Sequence, residues 1–410
     1  MTPFLMGVNY WPRKKAMYWW ADFDLGEVRE EFAMIRDIHL THVRLFLLWE
    51  SFQPTPDRID PKALGHLRQV CDVAADLGLK LQPTFFTGHM SGPNWAPDWL
   101  LGPGPRLPYE RPLITLQRPT GADATLYNVY TEPFVIEAEK RQLTAVCGEL
   151  ADHPALWAWS LGNEPDLFCL PPDAAAGRRW VHEMAETIRA VDPHHPVLIG
   201  LHTPSFDRDC GLRIDYIAAE TDISVMHGYS IYSGLARQPL DPDWLPFTCA
   251  LTAALAGRPV LYEEMGLCTP WTGTGGPSGW VKFPGFPEWG GREESRFFTS
   301  EADGAAWYAA TLPRLQRIGA LGSFAWCFGD YDPVLWDRPP CDHVWQERTF
   351  GLYAANGRLK ETGQAVRDFA QKRPMVQPAE RKVTLPVPPD EYYRAAWMLV
   401  PQLYEEFGRM

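Results

Sequence analysis

Eight short apolar runs that alternate with helical segments constrain the fold of this chain more than any other feature of its sequence. The runs lie at 4–9, 42–48, 79–86, 155–162, 196–201, 223–227, 259–264 and 322–328. Between most of them, apolar residues recur at helical spacing, as in 24–38, 61–78, 133–151 and 174–191; the segment around 242–256, after the sixth run, has the least clear pattern. Such repeated alternation of strand and helix predicts a parallel sheet.

Two parallel architectures fit this alternation, a closed (β/α)8 TIM barrel and an open, doubly wound sheet. An open nucleotide-binding sheet would carry a glycine-rich phosphate loop after its first strand, and none follows 4–9. We therefore predict an α/β fold with a (β/α)8 catalytic barrel over 1–373 and a short C-terminal appendage, 374–410, packed on it. Long loops rich in Gly, Pro and Trp follow the third strand (87–131) and the seventh (267–300).

Charge and composition narrow the range of partners. The formal net charge is −13, which argues against binding to nucleic acid or to an anionic membrane surface. The first residues lack the charged and then apolar pattern of a signal peptide, and no apolar run is long enough to span a bilayer. The eight cysteines are scattered and several fall in core segments, which favours reduced thiols over a disulfide framework. We expect a soluble, cytoplasmic protein, and a homo-oligomer is possible.

Tryptophan is unusually frequent, with eighteen in the chain. Many lie near loops: Trp11, Trp19, Trp20, Trp95, Trp99, Trp271, Trp280, Trp289, Trp336 and Trp345. Taken singly, most are expected to pack within large loops. As a set they favour a site for a ligand with flat apolar faces, such as a sugar ring.

Polar residues end two of the predicted strands abruptly. The run "LWAWSLGNEPDLF" (156–168) ends its strand in Asn163 and Glu164, and "VLYEEMG" (260–266) ends in Glu263 and Glu264. Residues at the carboxyl ends of barrel strands face the active site. Two carboxylates that converge on one cavity are what hydrolysis of a glycosidic bond requires, one as acid and the other as nucleophile or base.

These motifs resemble those of a known group. "LGNEP" and "EEMG" resemble the retaining glycoside hydrolases of clan A, and glycoside hydrolase family 5 in particular. "GVNYWPR", "VRLFLLWESFQP", "HGYSIYS", "AWCFGDYDPVLWDRPPCD" and "ERTFGL" are similar to the bacterial β-mannosidase-type branch of that family. The resemblance covers roughly residues 5–370.

The resemblance implies roles for the residues that match its motifs. Glu164 matches the acid/base and Asn163 the amide that binds the sugar 2-hydroxyl. Glu264 matches the nucleophile, because it precedes Gly266 by two positions, and the adjacent Glu263 is expected to point to the other face of its strand. Burial and the charge of Glu264 are expected to raise the pKa of Glu164, so that it stays protonated near neutral pH.

The resemblance also implies that several further residues bind the substrate. Arg44 matches the barrel arginine beneath the nucleophile, where a guanidinium keeps a carboxylate ionised. His227 and Tyr229 match a pair after the sixth strand, with the hydroxyl near the nucleophile. Trp326 matches the aromatic platform under the cleaved sugar, and His89 is a candidate sugar contact. Without the motif, each would be equally compatible with a structural role.

The function implied is that of a retaining, exo-acting β-glycosidase, with a β-mannosidase favoured and an oligosaccharide or glycoside as its partner. The long loops favour exo action, since they would close one end of the cleft. The alternatives are β-galactosidase, β-glucosidase or endo-β-mannanase with the same chemistry, and a catalytically retired sugar-binding barrel. No cofactor is expected. No metal site is predicted either, because the histidines of "DPHHP" (192–196) precede a strand and lie at the face of the barrel opposite the active site.

Overall fold

Eight parallel strands form the main body of the protein in a computed structural model that describes residues 2–104, 111–116, 124–270, 276–283 and 293–409. The strands are β1 Leu5–Tyr10, β2 His42–Leu48, β3 Lys80–Thr87, β4 Trp159–Asn163, β5 Val197–Gly200, β6 Ser224–His227, β7 Val260–Met265 and β8 Gly322–Ala325. Nearly every residue in them is buried, which is why they read in the sequence as continuous apolar runs and not as alternating ones.

The strands pair in the order β5-β4-β3-β2-β1-β8-β7-β6, and every ladder is parallel. Backbone hydrogen bonds join the two ends of this order: Asp222 N–H donates to Val197 O over 2.8 Å, and His227 N–H donates to Leu201 O over 2.7 Å. The sheet thus closes on itself. The predicted (β/α)8 TIM barrel is confirmed.

A helix follows each strand and covers the outside of the barrel. These helices are α1 Leu25–Asp37, α2 Pro61–Leu77, α3 Pro133–Leu150, α4 Ala174–Val191, α5 Ile214–Glu220, α6 Trp244–Ala256, α7 Glu301–Arg317 and α8 Glu361–Ala370. Several begin at residues whose side chains accept hydrogen bonds from the first free N–H groups, as Asp24, Asp60 and Asp173 do.

The sixth helix had the least clear pattern in the sequence because α6 has little exposed surface. A ninth helix, α9 (Pro389–Arg409), packs across its outer side. There Tyr404 contacts Trp244 and Phe247, with ring centroids 5.1 and 4.8 Å apart, and Phe407 lies 5.7 Å from Phe247. A helix buried on most sides shows no polar stripe.

The C-terminal helix also contacts the segment after β5. The hydroxyls of Tyr392 and Tyr393 donate to the carbonyl oxygens of Phe206 and Ser205, both over 2.7 Å. This is the packing expected of an appendage. The division of the chain at residue 373 stays a prediction.

The two long loops each carry a pair of short strands. After β3, Asn94–Trp95 pairs in parallel with Leu113–Ile114; after β7, Gly279–Phe283 and Glu294–Phe298 form an antiparallel hairpin. Trp271 and Trp289 lie outside the described residues, as do parts of both loops. The role of these loops as walls of the cleft therefore stays a prediction.

All eight cysteines are buried as free thiols, as the sequence suggested. The helices that the structure describes include none with the length and apolar character needed to cross a bilayer.

Candidate active site

The backbone at the end of β4 turns sharply at Glu164. This residue has φ +46° and ψ +54°, a left-handed conformation that costs free energy for any residue except glycine and that is common at functional sites. Its N–H donates to Gly200 O over 3.0 Å, and Pro165 then starts a short 3₁₀ turn. The turn directs the carboxyl group of Glu164 into a cavity of about 700 Å³ at the carboxyl ends of the strands.

A bulge in β7 shows that the expected orientation of the Glu263 side chain is wrong. The pairing register shifts on both sides of the strand, so that Met226 faces Tyr262 while the next residue, His227, faces Glu264. An extra residue in a strand breaks the two-residue alternation of side chains. Glu263 therefore does not point to the other face; its carboxylate is fully buried 2.8 Å from His227 Nε2.

Arg44 contacts two of the predicted site residues and Glu263 from below. Its Nη1 donates to Glu264 Oε1 over 3.1 Å, its Nη2 donates to Asn163 Oδ1 over 2.9 Å, and its Nε lies 3.4 Å from Glu263 Oε2. Gln82 donates a hydrogen bond to Glu263 as well. The arginine is fully buried, so its charge is weakly screened and favours the ionised forms of both glutamates.

His227 and Tyr229 complete the surroundings of Glu264. Tyr229 Oη donates to Glu264 Oε2 over 2.8 Å. His227 Nδ1 lies 3.0 Å from Glu164 Oε1 and 3.6 Å from Glu264 Oε2, while its Nε2 faces Glu263. Burial lowers the pKa of His227, but Glu264, Glu164 and Glu263 raise it to about 9. The imidazolium thus bridges three carboxylates.

Glu164 and Glu264 lie close together across the cavity. A carboxylate oxygen of each and a ring nitrogen of His227 all fall within 4.8 Å of one another. Among the described residues, Glu164, His227 and Glu264 form a group close enough together to ligate one cation. The expectation that the protein binds no metal stays a prediction. The separation is compatible with the roughly 5–5.5 Å that double displacement needs between its carboxyl groups.

The pKa of Glu164 differs from the expectation. Burial raises it, but the charges of His202 and His227 outweigh burial, and the net pKa is lowered. The pKa of Glu264 is raised, by burial and by the charge of Glu164, against the effects of His227 and Arg44. The sequence did not indicate His202, nor that His227 lies beside Glu164, which is why the expected direction was wrong.

His202 and Asp166 are site residues that sequence reasoning missed. His202 Nε2 lies 2.9 Å from both carboxylate oxygens of Asp166, and its Nδ1 lies 3.7 Å from Glu164 Oε2. Burial lowers the pKa of His202, but Asp166 and Glu164 raise it above its ordinary value. The signal was present in "NEPD", where Asp166 follows Glu164 by two positions. Its partner His202 comes from the end of a different strand, which no local motif reveals.

His89 lines the cavity and supports Asn163 through its backbone. Its carbonyl oxygen accepts a hydrogen bond from Asn163 Nδ2 over 3.1 Å, and its ring lies 3.0 Å from Asn94 Oδ1. Burial and Arg111 lower the pKa of His89 to about 3, so the ring is neutral. Asn163 is thereby fixed between His89 and Arg44, with its amide at the cavity wall.

Trp326 follows β8 and lines the cavity beside a glutamate that sequence reasoning also missed. The indole N–H donates to Glu347 Oε2 over 3.2 Å. Glu347 lies in "ERTFGL", a motif that carries family resemblance but does not by itself mark its carboxylate as part of a site. The structure thus brings all eight predicted site residues to one end of the barrel.

Most of the loop tryptophans are structural within the described ranges. Trp11, Trp19 and Trp95 are fully buried, and Trp11 stacks on Phe46 with ring centroids 5.1 Å apart. The tryptophans that line the cavity are Trp244, Trp280 and Trp326. Most of the set therefore pack within the fold, as expected of them singly, and Trp280 is the described member that lines the cavity.

Known proteins resemble this chain in sequence over about a third of its length. No family model matches the chain. Mannan endo-1,4-beta-mannosidase F of Aspergillus clavatus is 26% identical over 150 residues, which are 34% of this chain and 34% of that protein. A probable mannan endo-1,4-beta-mannosidase C of Aspergillus terreus is 30% identical over 171 residues, 34% of this chain and 39% of the relative. The match thus spans well under half of these relatives.

Solved structures match over almost the whole chain. A variant of the GH5_18 protein from Streptomyces cattleya, in complex with Manβ1-4GlcNAc, superposes with a TM-score of 0.77 and 23% identity, covering 100% of this chain and 91% of that one. The exo-beta-1,4-mannosidase of an Opitutaceae bacterium gives a TM-score of 0.71 and 24% identity, with 91% and 60% covered. The predicted resemblance to glycoside hydrolase family 5 is confirmed. At these identities the structural likeness shows the fold, and the activity of this chain is argued separately from its site.

Proposed function

We propose that this protein is a retaining, exo-acting β-mannosidase that removes terminal β-mannosyl residues from oligosaccharides by double displacement. The observation that carries the proposal is the approach of the Glu164 and Glu264 carboxylates to within 4.8 Å of each other across a cavity. An inverting enzyme needs room for a water molecule between its carboxyl groups and holds them about 6.5–9.5 Å apart.

Glu264 is positioned for the role of nucleophile. In the first step a carboxylate oxygen attacks the anomeric carbon, and the bond between that carbon and the leaving oxygen breaks. Hydrogen bonds from Arg44 and Tyr229 hold the attacking carboxylate in place, at 3.1 and 2.8 Å. Both donors also stabilise the ionised form that attack requires.

Glu164 supplies the proton to the leaving oxygen and then, as a carboxylate, takes a proton from the water that hydrolyses the glycosyl-enzyme. His227 Nδ1 lies 3.0 Å from the carboxylate of Glu164 and 3.6 Å from that of Glu264. A proton passed from the His227 imidazolium to Glu164 puts the acid in place, while Arg44 and Tyr229 favour the ionised form of Glu264.

The sugar and the exo mode are supported by the solved relatives. One neighbour is named as an exo-beta-1,4-mannosidase, and another was solved with a disaccharide that has mannose at its non-reducing end. A panel of nitrophenyl β-glycosides tests the sugar directly. We expect the highest kcat/KM with the β-mannoside; higher values with the β-galactoside or β-glucoside would replace the proposed substrate.

Endo-β-mannanase is the second candidate, because the curated relatives are named as endo enzymes. The product pattern from mannohexaose separates the two modes. Exo action releases mannose from the first turnover and shortens the chain by one unit at a time, whereas early mannobiose and mannotriose without mannose would favour endo cleavage.

A retired sugar-binding barrel would explain the cavity without catalysis. Sugar binding alone would not require hydrogen bonds from both Arg44 and Tyr229 to the carboxylate of Glu264. Binding of mannobiose with no hydrolysis over days would favour that alternative.

Cytoplasmic location and an oligosaccharide partner belong to the same proposal, and fractionation of the source cells tests the location.

A further inference from the structure

Glu347 is a buried carboxylate that the mechanism above does not use. It lies in a short 3₁₀ turn, Trp345–Thr349, that follows β8, and its residue is only 9% exposed. Its side chain lines the same cavity as Glu164 and Glu264. One oxygen, Oε2, accepts the hydrogen bond from the indole N–H of Trp326.

No cation balances this carboxylate within the part of the chain that the structure describes. Two other buried acids do have a cation: Glu263 faces Arg44, and Asp330 lies 2.8 Å from Lys360 Nζ. A carboxylate buried without a cation costs several kcal/mol. Glu139 is another such acid, but it lies outside the cavity, whereas Glu347 lines it, and a group of this kind inside a cleft is a candidate functional residue.

The ionisable groups that face Glu347 are themselves acids. The carboxylates are Glu164 and Glu264, and the hydroxyls and thiols are those of Tyr229, Tyr232, Tyr331, Cys268, Cys327 and Cys341. Burial raises the pKa of Glu347 to about 7; the charges of Glu264 and Glu164 add to this, and the indole N–H of Trp326 and the nearby hydroxyl of Ser91 oppose it. Hydroxyl groups of a bound sugar would be additional donors to this carboxylate.

Glu347 lies at the edge of the Trp326 indole, and this position determines which hydroxyl groups of a stacked sugar could reach its carboxylate. A sugar ring that stacks on an indole face directs its equatorial hydroxyl groups outward, past the edge of the indole. Glu347 lies at the N–H edge of that indole, 3.2 Å from Nε1. Hydroxyl groups of a sugar on this platform would point toward its carboxylate.

We propose that Glu347 accepts hydrogen bonds from one or two free hydroxyl groups of the terminal sugar whose bond is cleaved, and that it thereby makes the site selective for an unsubstituted chain end. An interior sugar carries its neighbour on one of these oxygens and has no proton there to donate. Its binding would leave Glu347 buried without a partner. This inference rests on the proposed glycosidase function and adds the residue that sets its exo mode.

The test uses the full-length protein and nitrophenyl β-mannosides that lack the 3-, 4- or 6-hydroxyl. With the wild type, at least one deoxy substrate should lose about 30–100-fold in kcat/KM, the value of a hydrogen bond to a charged group. Glu347→Gln should lose a similar factor with the parent substrate but little more with that same deoxy substrate. Equal losses by the variant with all four substrates would overturn the proposal.

Selectivity for the chain end gives a second kinetic readout. The ratio of kcat/KM for nitrophenol release from the nitrophenyl β-mannoside to that for direct nitrophenol release from nitrophenyl β-mannobioside should fall about 10-fold or more in Glu347→Ala, because the second reaction places a substituted sugar at the cleaved bond. Glu405→Gln, which removes one charge from an exposed part of α9, is the control and should leave this ratio unchanged. An unchanged ratio in Glu347→Ala would overturn the proposal.

Thermal unfolding separates a ligand-binding role from a structural one. Because the pKa of Glu347 is raised from 4.5 to about 7, this group lowers the stability of the fold as pH rises from about 4.5 to 7, and the loss is complete above 7. Glu347→Gln should therefore raise Tm at pH 8.5 and leave it nearly unchanged at pH 4. A variant with a lower Tm at both pH values would indicate a structural role and refute the proposal.

Failure of the proposed function would look different from failure of this inference. If the wild type hydrolyses another β-glycoside in preference to the mannoside, the proposed sugar is wrong, and the deoxy series of the preferred sugar then decides the role of Glu347. If the wild type cleaves the mannoside and Glu347→Gln matches it on every substrate, only the inference fails.

Discussion

The imidazole of His227 connects the two catalytic carboxylates to a third, Glu263, and its charge is the main pH-sensitive feature of the site. Its pKa is raised from 6.5 to about 9, so its contribution to stability and charge balance is fully present below pH 6.5 and is lost as pH rises through about 9. The proton on this ring also lies on the route between Glu264 and Glu164.

His227→Asn is expected to lower kcat/KM by about 10²–10⁴-fold for substrates with poor leaving groups, because Glu164 loses the imidazole that positions it and delivers its proton. The decline in kcat/KM of the wild type near pH 9 should also disappear. His194→Asn, in an exposed turn, is the matched control. A pH profile of His227→Asn that keeps the alkaline limb at the same pH would contradict the assignment.

Glu263 is expected to matter as much for the fold as for the chemistry. Glu263→Ala leaves the charges of Arg44 and His227 buried without one of their partners, which should lower the free energy of unfolding by about 3–5 kcal/mol. Urea denaturation measures this change. A loss below about 1 kcal/mol would contradict this account of the buried charges.

At the scale of the elements, the contact between β7 and β8 explains the glycine of the "EEMG" motif. A Cβ atom at Gly266 would lie 2.2 Å from the carbonyl oxygen of Trp326 and 3.2 Å from the ring of Phe350. Glycine thus lets the end of β7 approach the backbone that carries the aromatic platform.

Gly266→Ala should lower the free energy of unfolding by about 1–3 kcal/mol, the usual cost of forcing extra volume into a packed region. It should also reduce activity, since Trp326 has to move. Gly65→Ala, inside α2, is the control, because a Cβ atom added there would meet nothing within 4 Å; alanine at this position should stabilise the helix by up to about 1 kcal/mol. Equal stability of both variants would refute this account of the motif.

The strands and most helices were predictable because burial on both faces of a barrel strand leaves a plain apolar run. Glu164, Glu264 and Asn163 were predictable because a local motif marks the end of each strand. Glu263 was not, since a bulge depends on pairing with neighbouring strands. His202 and Glu347 reach the cavity from segments far away in sequence, and only the closed barrel brings them to Glu164 and Trp326.

At the scale of the whole molecule, the C-terminal helix α9 covers α6. Truncation of the chain before residue 374 would expose the apolar surfaces of α6 that contact Tyr404 and Phe407. We expect a lower Tm and stronger binding of a hydrophobic dye than in the full chain. An unchanged Tm would show that the barrel is stable without the appendage.

The most direct test of the proposed double displacement is the fate of a dinitrophenyl β-mannoside on three variants. Its leaving group needs no proton, so Glu164→Ala should still form a covalent glycosyl-enzyme, visible by intact mass, and added azide should release the β-mannosyl azide. Glu264→Ala should form no covalent intermediate, while Glu263→Ala, where folded, should retain one. An intermediate on Glu264→Ala, or an α-mannosyl azide from Glu164→Ala, would contradict the assignment of the two glutamates.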